Sequence, residues 1–216
     1  MIMFGNVISK KKAVNILFTI LLIYFSYLMV LITLQYIPIH FDVAFLRIKQ
    51  DEIQFLHYKI VFFTHVYTSI FVLILAIFQI QNWIRIKFSS LHKYAGRLYV
   101  LLILLFSAPS GLIMGYYANG GIWAQVSFVI LSCLWFYFTY KGYQYAKQKN
   151  WLLHQNYMFR SVSLTFSAIS LRLFKWIIAS FFHLPPMDIY VNIAWLGLAV
   201  NLIIVEVIIY RKSIKY

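Results

Sequence analysis

Acidic side chains are scarce: five Asp and Glu in 216 residues, against nineteen Lys and Arg, for a formal charge of +14. So few acids weigh against a carboxylate-rich metal cluster, which needs its ligands gathered at one depth. Cysteine is scarcer still. Cys133 stands alone, which excludes an intrachain disulfide, and its place in an apolar run marks it as a packing residue. Charge of either sign is absent from Leu98 to Tyr140. No catalytic nucleophile has a recognisable setting. No small-residue cleavage site follows the first apolar run, so that run reads as a span and not as a cleaved signal.

What is present is apolar. The chain is 63% hydrophobic and 20% aromatic, where a soluble domain is about half apolar. In a soluble protein the basic excess would suggest nucleic acid. Here the bases flank apolar runs, which excludes nucleic acid as the expected partner and places them on the cytoplasmic face of a bilayer.

A helix needs about 20 apolar residues to cross the hydrocarbon core. Six stretches qualify: Ala13 to Leu34; the run between Lys59 and Arg85; two helices within Leu98 to Tyr140, split at Asn119-Gly120-Gly121; Leu152 to Phe182, ended by Pro185-Pro186; and Ile189 to Tyr210. The expected fold is an all-α, six-span helical bundle forming one transmembrane domain over 1–216. Basic residues crowd one side: Lys10 to Lys12, Arg85, Lys87, Lys93, Arg97, Lys141, Lys147, Lys149, Arg211, Lys212 and Lys215. The other side holds Arg47, Lys49 and Lys59, so both termini are expected in the cytoplasm. The outer connection 35–58 carries Asp42, Asp51 and Glu52 and is expected to form a short surface helix.

Polar residues recur at helical spacing inside three spans. Tyr58, His65, Ser69, Ala76 and Gln79 share a face of the second; His92, Gly96, Tyr99 and Ser110 share a face of the third. On the fifth, His154, Met158, Ser161, Thr165, Ala168 and Arg172 share a face, with Arg160, Ser163, Ser167 and Ser170 to the side. Lipid offers no hydrogen-bond partner, so these faces turn inward. Most of the hydroxyls are expected to bond the preceding turn or a neighbouring helix. His40, His57 and His183 belong to outer loops and are expected to meet solvent.

The histidines sort by depth. His92 and His154 lie near the inner surface, while His65 and Arg172 lie in the outer half. His154 and Arg172 are 18 residues apart, about 27 Å of helix, so they serve different sites. Each inner histidine follows a leucine and precedes an arginine, Arg97 or Arg160, at the foot of a span. Leu91 through the fourth span therefore resembles Leu153 through the sixth, a weak parallel repeat. For the arginines, ion pairs are one expectation: Glu206 with Arg160 or Arg97, and Asp188 with Arg172 or Lys175. An external anion is the other.

One family carries this order of residues. His65, then Leu91-His92-Lys93-Tyr94-Ala95-Gly96-Arg97-Leu98-Tyr99-Val100, then Ser110-Gly111-Leu112 with Met114, Ala118 and Gly120-Gly121, then Trp135, then His154, Met158, Arg160-Ser161, Leu164-Thr165 and Leu171-Arg172 resemble the domain of unknown function 2306. That is a family of bacterial integral membrane proteins of uncharacterised activity. The likeness covers about 59–175 as a core, with 35–58 as an extra outer loop. Lys93 stands where an arginine is expected, which keeps a cation but loses two-pronged bonding. The resemblance implies the fold, three histidines and two intramembrane arginines in the bacterial cytoplasmic (inner) membrane. It brings no activity.

Chemistry supplies the functional expectations. The first is haem b for electron transfer, with His92 and His154 as axial metal ligands from facing helices. Arg97, Arg160 and Lys93 would hold its propionates and a quinone would lie near Arg172, while His65 is an outer-leaflet cofactor-binding candidate whose partner would be His183 or a non-histidine group. The second is a transporter, assembly factor or accessory subunit that handles protons or anions through intramembrane His and Arg. The third is a quinone- or metal-linked membrane enzyme. Beyond the lipid bilayer, the expected partners are a redox protein or a second copy of the chain.

Overall fold

The computed structural model describes residues 10–181 and 186–214. His183 and Pro185 fall outside them, as do the pairings expected of Asp188. Among the described residues every regular element is a helix, and six stretches are long and apolar enough to cross a membrane. These are Ala13–Leu34, Leu56–Ile80, Ser89–Tyr116, Gly121–Lys147, Trp151–Phe181 and Ile189–Ser213.

Helix α1 (Lys10–Leu34) packs on α2 (Leu56–Ile80) and brushes α8 (Ser167–Phe181), leaving most of its surface for lipid. A short helix, α3 (Asn82–Lys87), leads to the third span. That span consists of α4 (Ser89–Leu102), a wide π turn (Ile103–Ser107) and α5 (Ala108–Tyr116). Pro109 near the start of α5 accounts for the wide turn, because a proline ring clashes with the carbonyl four residues back and donates no N–H. Gly120 and Gly121, at φ +88° and +71°, make the hairpin into α6 (Gly121–Lys147). Only glycine takes such angles freely.

The fifth span is also interrupted. It runs as α7 (Trp151–Thr165) and then α8, with Phe166 between them. Thr165 bonds back to the Ser161 carbonyl at 3.1 Å, a bond that bends helices. Asn150 caps α7 through the Leu153 N–H at 3.3 Å, which sets His154 within the first turn. The last span, α9 (Pro186–Ser213), lies against α6, α7 and α8. The interruptions fall at corresponding points of the two repeat-like halves, Ile103 after His92 and Phe166 after His154.

The connection before α2 differs from a surface helix. Two short 3-10 turns, Ala44–Ile48 and Glu52–Gln54, fold inward over one end of the bundle. Tyr36, Leu46 and Ile53 bury themselves against Tyr58 and Phe62 of α2. Lys49 is 1% exposed, and a lysine that deep needs partners. Its ammonium donates to Glu52 and to the Tyr117 carbonyl, each at 2.5 Å. The segment is a cap.

Candidate functional site

Beneath the cap lies a partly open cavity of about 210 Å³. Its walls come from the cap and from α2, α5, α6, α7, α8 and α9. They are mostly apolar and aromatic, including Phe45, Phe128, Leu131, Trp135 and Leu171. Into this lining the fold brings Lys49, His65 and Arg172. His65 and Arg172, read from sequence as one layer, thus line one cavity. Lys49 was missed: a loop lysine reads as a solvated charge, and nothing in its neighbourhood signals that the loop folds inward.

His65 is held by the wide turn. Its Nδ1–H donates to the Ser107 carbonyl at 2.9 Å and more weakly to Ser110 Oγ at 3.4 Å. Ser110 gives its own proton to Phe106 O, so its oxygen is free to accept. Ser107 is tied down as well, through its hydroxyl to Thr68 at 2.8 Å. Gly111 makes room for the imidazole: a Cβ there would stand 2.9 Å from His65 Cε1. Arg172 keeps an accessible side chain at the cavity's rim, where Nη1 donates to the Ala168 carbonyl at 2.9 Å. Ser69 also lines the cavity, and its buried hydroxyl has no partner among the described residues.

The floor is a hydroxyl network at mid-bundle. Tyr99 OH meets Ser161 at 2.9 Å and Thr165 at 2.8 Å. Trp135 Nε1 donates to Thr165 at 3.1 Å, and Thr139 meets Ser161 at 2.7 Å. These bonds tie the third, fourth and fifth spans together. The side stripe of the fifth span closes on α9 instead. Ser163 donates to Asn201 O at 2.6 Å, Ser167 to Gly197 O at 3.2 Å, and Ser170 exchanges bonds with the Asn201 amide. Most of the fifth-span hydroxyls therefore serve as helix–helix joints.

His92 and His154 lie near the opposite, basic end. His154 donates Nδ1–H to the Gly142 carbonyl at 2.8 Å. His92 Nδ1 is buried without a partner among the described residues, while its carbonyl accepts from Gln79 at 3.1 Å. The four other predicted residues divide. His65 and Arg172 belong to the cavity. Arg160 closes on Glu206, and Arg97 lies exposed with its guanidinium over Tyr94. No cluster of three or more metal-ligating side chains occurs among the described residues.

One further expectation changes. Cys133 is on the exposed face of α6 and not in the packing, because that face meets lipid, for which an apolar run is equally suited. In the cap, burial pushes the Tyr36 phenol above its usual range, although the Phe45 N–H donates to its oxygen at 3.2 Å. His40 and His57 are exposed as expected, His57 bonding Tyr117 OH at 2.9 Å.

Six apolar spans with a polar interior and a capped cavity define a multi-pass membrane protein. The profile of the family described as "Predicted membrane protein (DUF2306)" matches residues 62–209, and the chain belongs to that family. The match runs beyond the 59–175 core into the last span. No curated protein and no solved structure matches the chain.

Proposed function

We propose that this protein binds, in the capped cavity, a small molecule with an apolar ring or chain and an oxygen-bearing head, and handles it within the bacterial cytoplasmic membrane. The reading rests on one observation: mostly apolar walls converge on Lys49, His65 and Arg172. Convergent polar groups in an otherwise apolar pocket are how small-molecule sites fix a ligand's orientation. An apolar cavity of ~150 Å³ takes up benzene, so about 210 Å³ admits a substituted ring and excludes a porphyrin. Arg172 and Lys49 supply donors for a carbonyl or carboxylate. With both termini cytoplasmic, the cavity belongs to the outer leaflet.

Solvent extraction of the purified protein, followed by mass spectrometry, tests this. The wild type is expected to retain a stoichiometric small amphiphile that Arg172→Met loses. Equal extracts from both would overturn the reading.

A second reading concerns the other end of the bundle: haem b between His92 and His154, passing electrons to a redox partner. Its support is the state of the two rings. His154, fixed through Nδ1, has Nε2 to offer, the arrangement usual for metal-bound histidine. His92 Nδ1 is buried without a partner among the described residues. Arg160 is held by Glu206, which leaves Arg97 and Lys93 for propionates. A visible spectrum of protein from haem-replete cells, before and after dithionite, decides. A Soret band lost in both His92→Ala and His154→Ala supports haem, and a colourless preparation rejects it.

A further inference from the structure

The geometry points to a ligand that places a hydroxyl against His65 and a second oxygen toward Arg172: the reduced, quinol form of an aromatic ring, in preference to the quinone. The inference deepens the reading of the cavity as a ligand site and rests on it.

The argument begins with the Ser107 carbonyl. A carbonyl can only accept, so the proton of the 2.9 Å contact belongs to His65 Nδ1. In the neutral imidazole the other nitrogen, Nε2, then carries a lone pair. Nε2 has no partner among the described residues, and the ring lines the cavity. The backbone thus selects a tautomer that asks for a donor. Arg172 at the rim has only donors, and so does Lys49, whose third N–H is unspent after Glu52 and Tyr117 O. A ligand satisfying both ends needs a donor at the deep end and an acceptor at the rim.

A quinol has a hydroxyl at one end of the ring and an oxygen that accepts at the other. A quinone, acceptor at both ends, would set its carbonyl against the Nε2 lone pair. Aromatic walls at Phe45, Tyr58, Phe128, Trp135 and Tyr190 suit a flat ring. The step is recognition; no electron transfer is invoked.

Calorimetric titration of the full-length protein in detergent, under anaerobic conditions, uses menadiol, menadione and naphthoate. Menadiol is expected to bind roughly threefold to tenfold more tightly than menadione, the worth of about one hydrogen bond. His65→Phe is expected to abolish that preference, and Gly111→Ala to weaken it by pushing the imidazole off the Ser107 carbonyl. Circular dichroism and gel filtration confirm that each variant is folded; should His65→Phe fail, Gly111→Ala carries the test. Equal affinity for menadiol and menadione, or a preference that survives both substitutions, overturns the inference. If naphthoate or menadione still binds and Arg172→Met weakens it, the cavity reading stands without it. If none of the three binds, both fall.

Discussion

Arg160 and Glu206 meet side by side, the guanidinium giving one N–H to each carboxylate oxygen at 2.5 and 2.8 Å. The pair joins α7 to α9 near the basic end. Glu206 is the acid that Arg160 and Arg97 compete for in the sequence, and the fold awards it to Arg160. Both side chains retain exposure, so its worth is modest, on the order of 1 kcal/mol. Glu206→Gln is expected to lower the thermal midpoint in detergent slightly, and the swap Arg160→Glu with Glu206→Arg to recover most of it. A swap no better than the single change would show that the pair does not hold the helices.

The Tyr99 hydroxyl holds two partners at the centre of the bundle, Ser161 and Thr165. Bonds of this kind in membrane proteins average ~0.6 kcal/mol and reach ~1.7. Tyr99→Phe is expected to destabilise the protein by about 1–2 kcal/mol, read by unfolding in mixed micelles, with Trp135 fluorescence shifting as its neighbour Thr165 loses a bond. An unchanged midpoint would assign the network no structural role.

Lys49 and Glu52 make the most buried ion pair described. Removing one partner of such a pair strands the other, whereas neutralising both is far milder. Lys49→Met is therefore expected to loosen the cap and speed hydrogen exchange over 44–54. Lys49→Met with Glu52→Gln is expected to restore slow exchange. Fast exchange in both would mean that the Tyr117 carbonyl, and not Glu52, is the anchor.

The two ends of the bundle are separate in space and in chemistry. Arg172→Ala is expected to impair ligand retention while any cofactor on His92 and His154 stays bound. Loss of haem as complete as in His92→Ala would merge the two layers into one.

Orientation is open to direct measurement. In a Cys133→Ser background, Asp51→Cys, on the exposed part of the cap, is expected to react with a membrane-impermeant maleimide on intact spheroplasts. Gln148→Cys, in the turn after α6, is expected to react only after lysis. The reverse pattern would invert the assignment of inside and outside.

The spans were legible because twenty apolar residues in a row have few other uses, and the stripes because period 3.6 survives in a buried helix. Tyr58, Ser69, Tyr99, Ser161 and Thr165 duly face the interior. Lys49 was not legible, since its burial depends on a loop folding back over the bundle through Leu46 and Ile53. Nor was the choice of Arg160 over Arg97 by Glu206, which turns on side-chain reach between helices far apart in sequence. Pro109 did carry a local signal. Its missing N–H announces a break, yet the consequence, a carbonyl aimed at His65 from 42 positions away, belongs to packing alone.

That carbonyl is main chain, and this shapes how the protein responds to change. Replacing Ser107 removes a hydroxyl but leaves the acceptor for His65 in place. Random mutagenesis that misaligns His65 should accordingly accumulate at Gly111 and Pro109, which shape the backbone and the space around it, while at the fully buried Ser107 a small residue such as alanine keeps the acceptor in place.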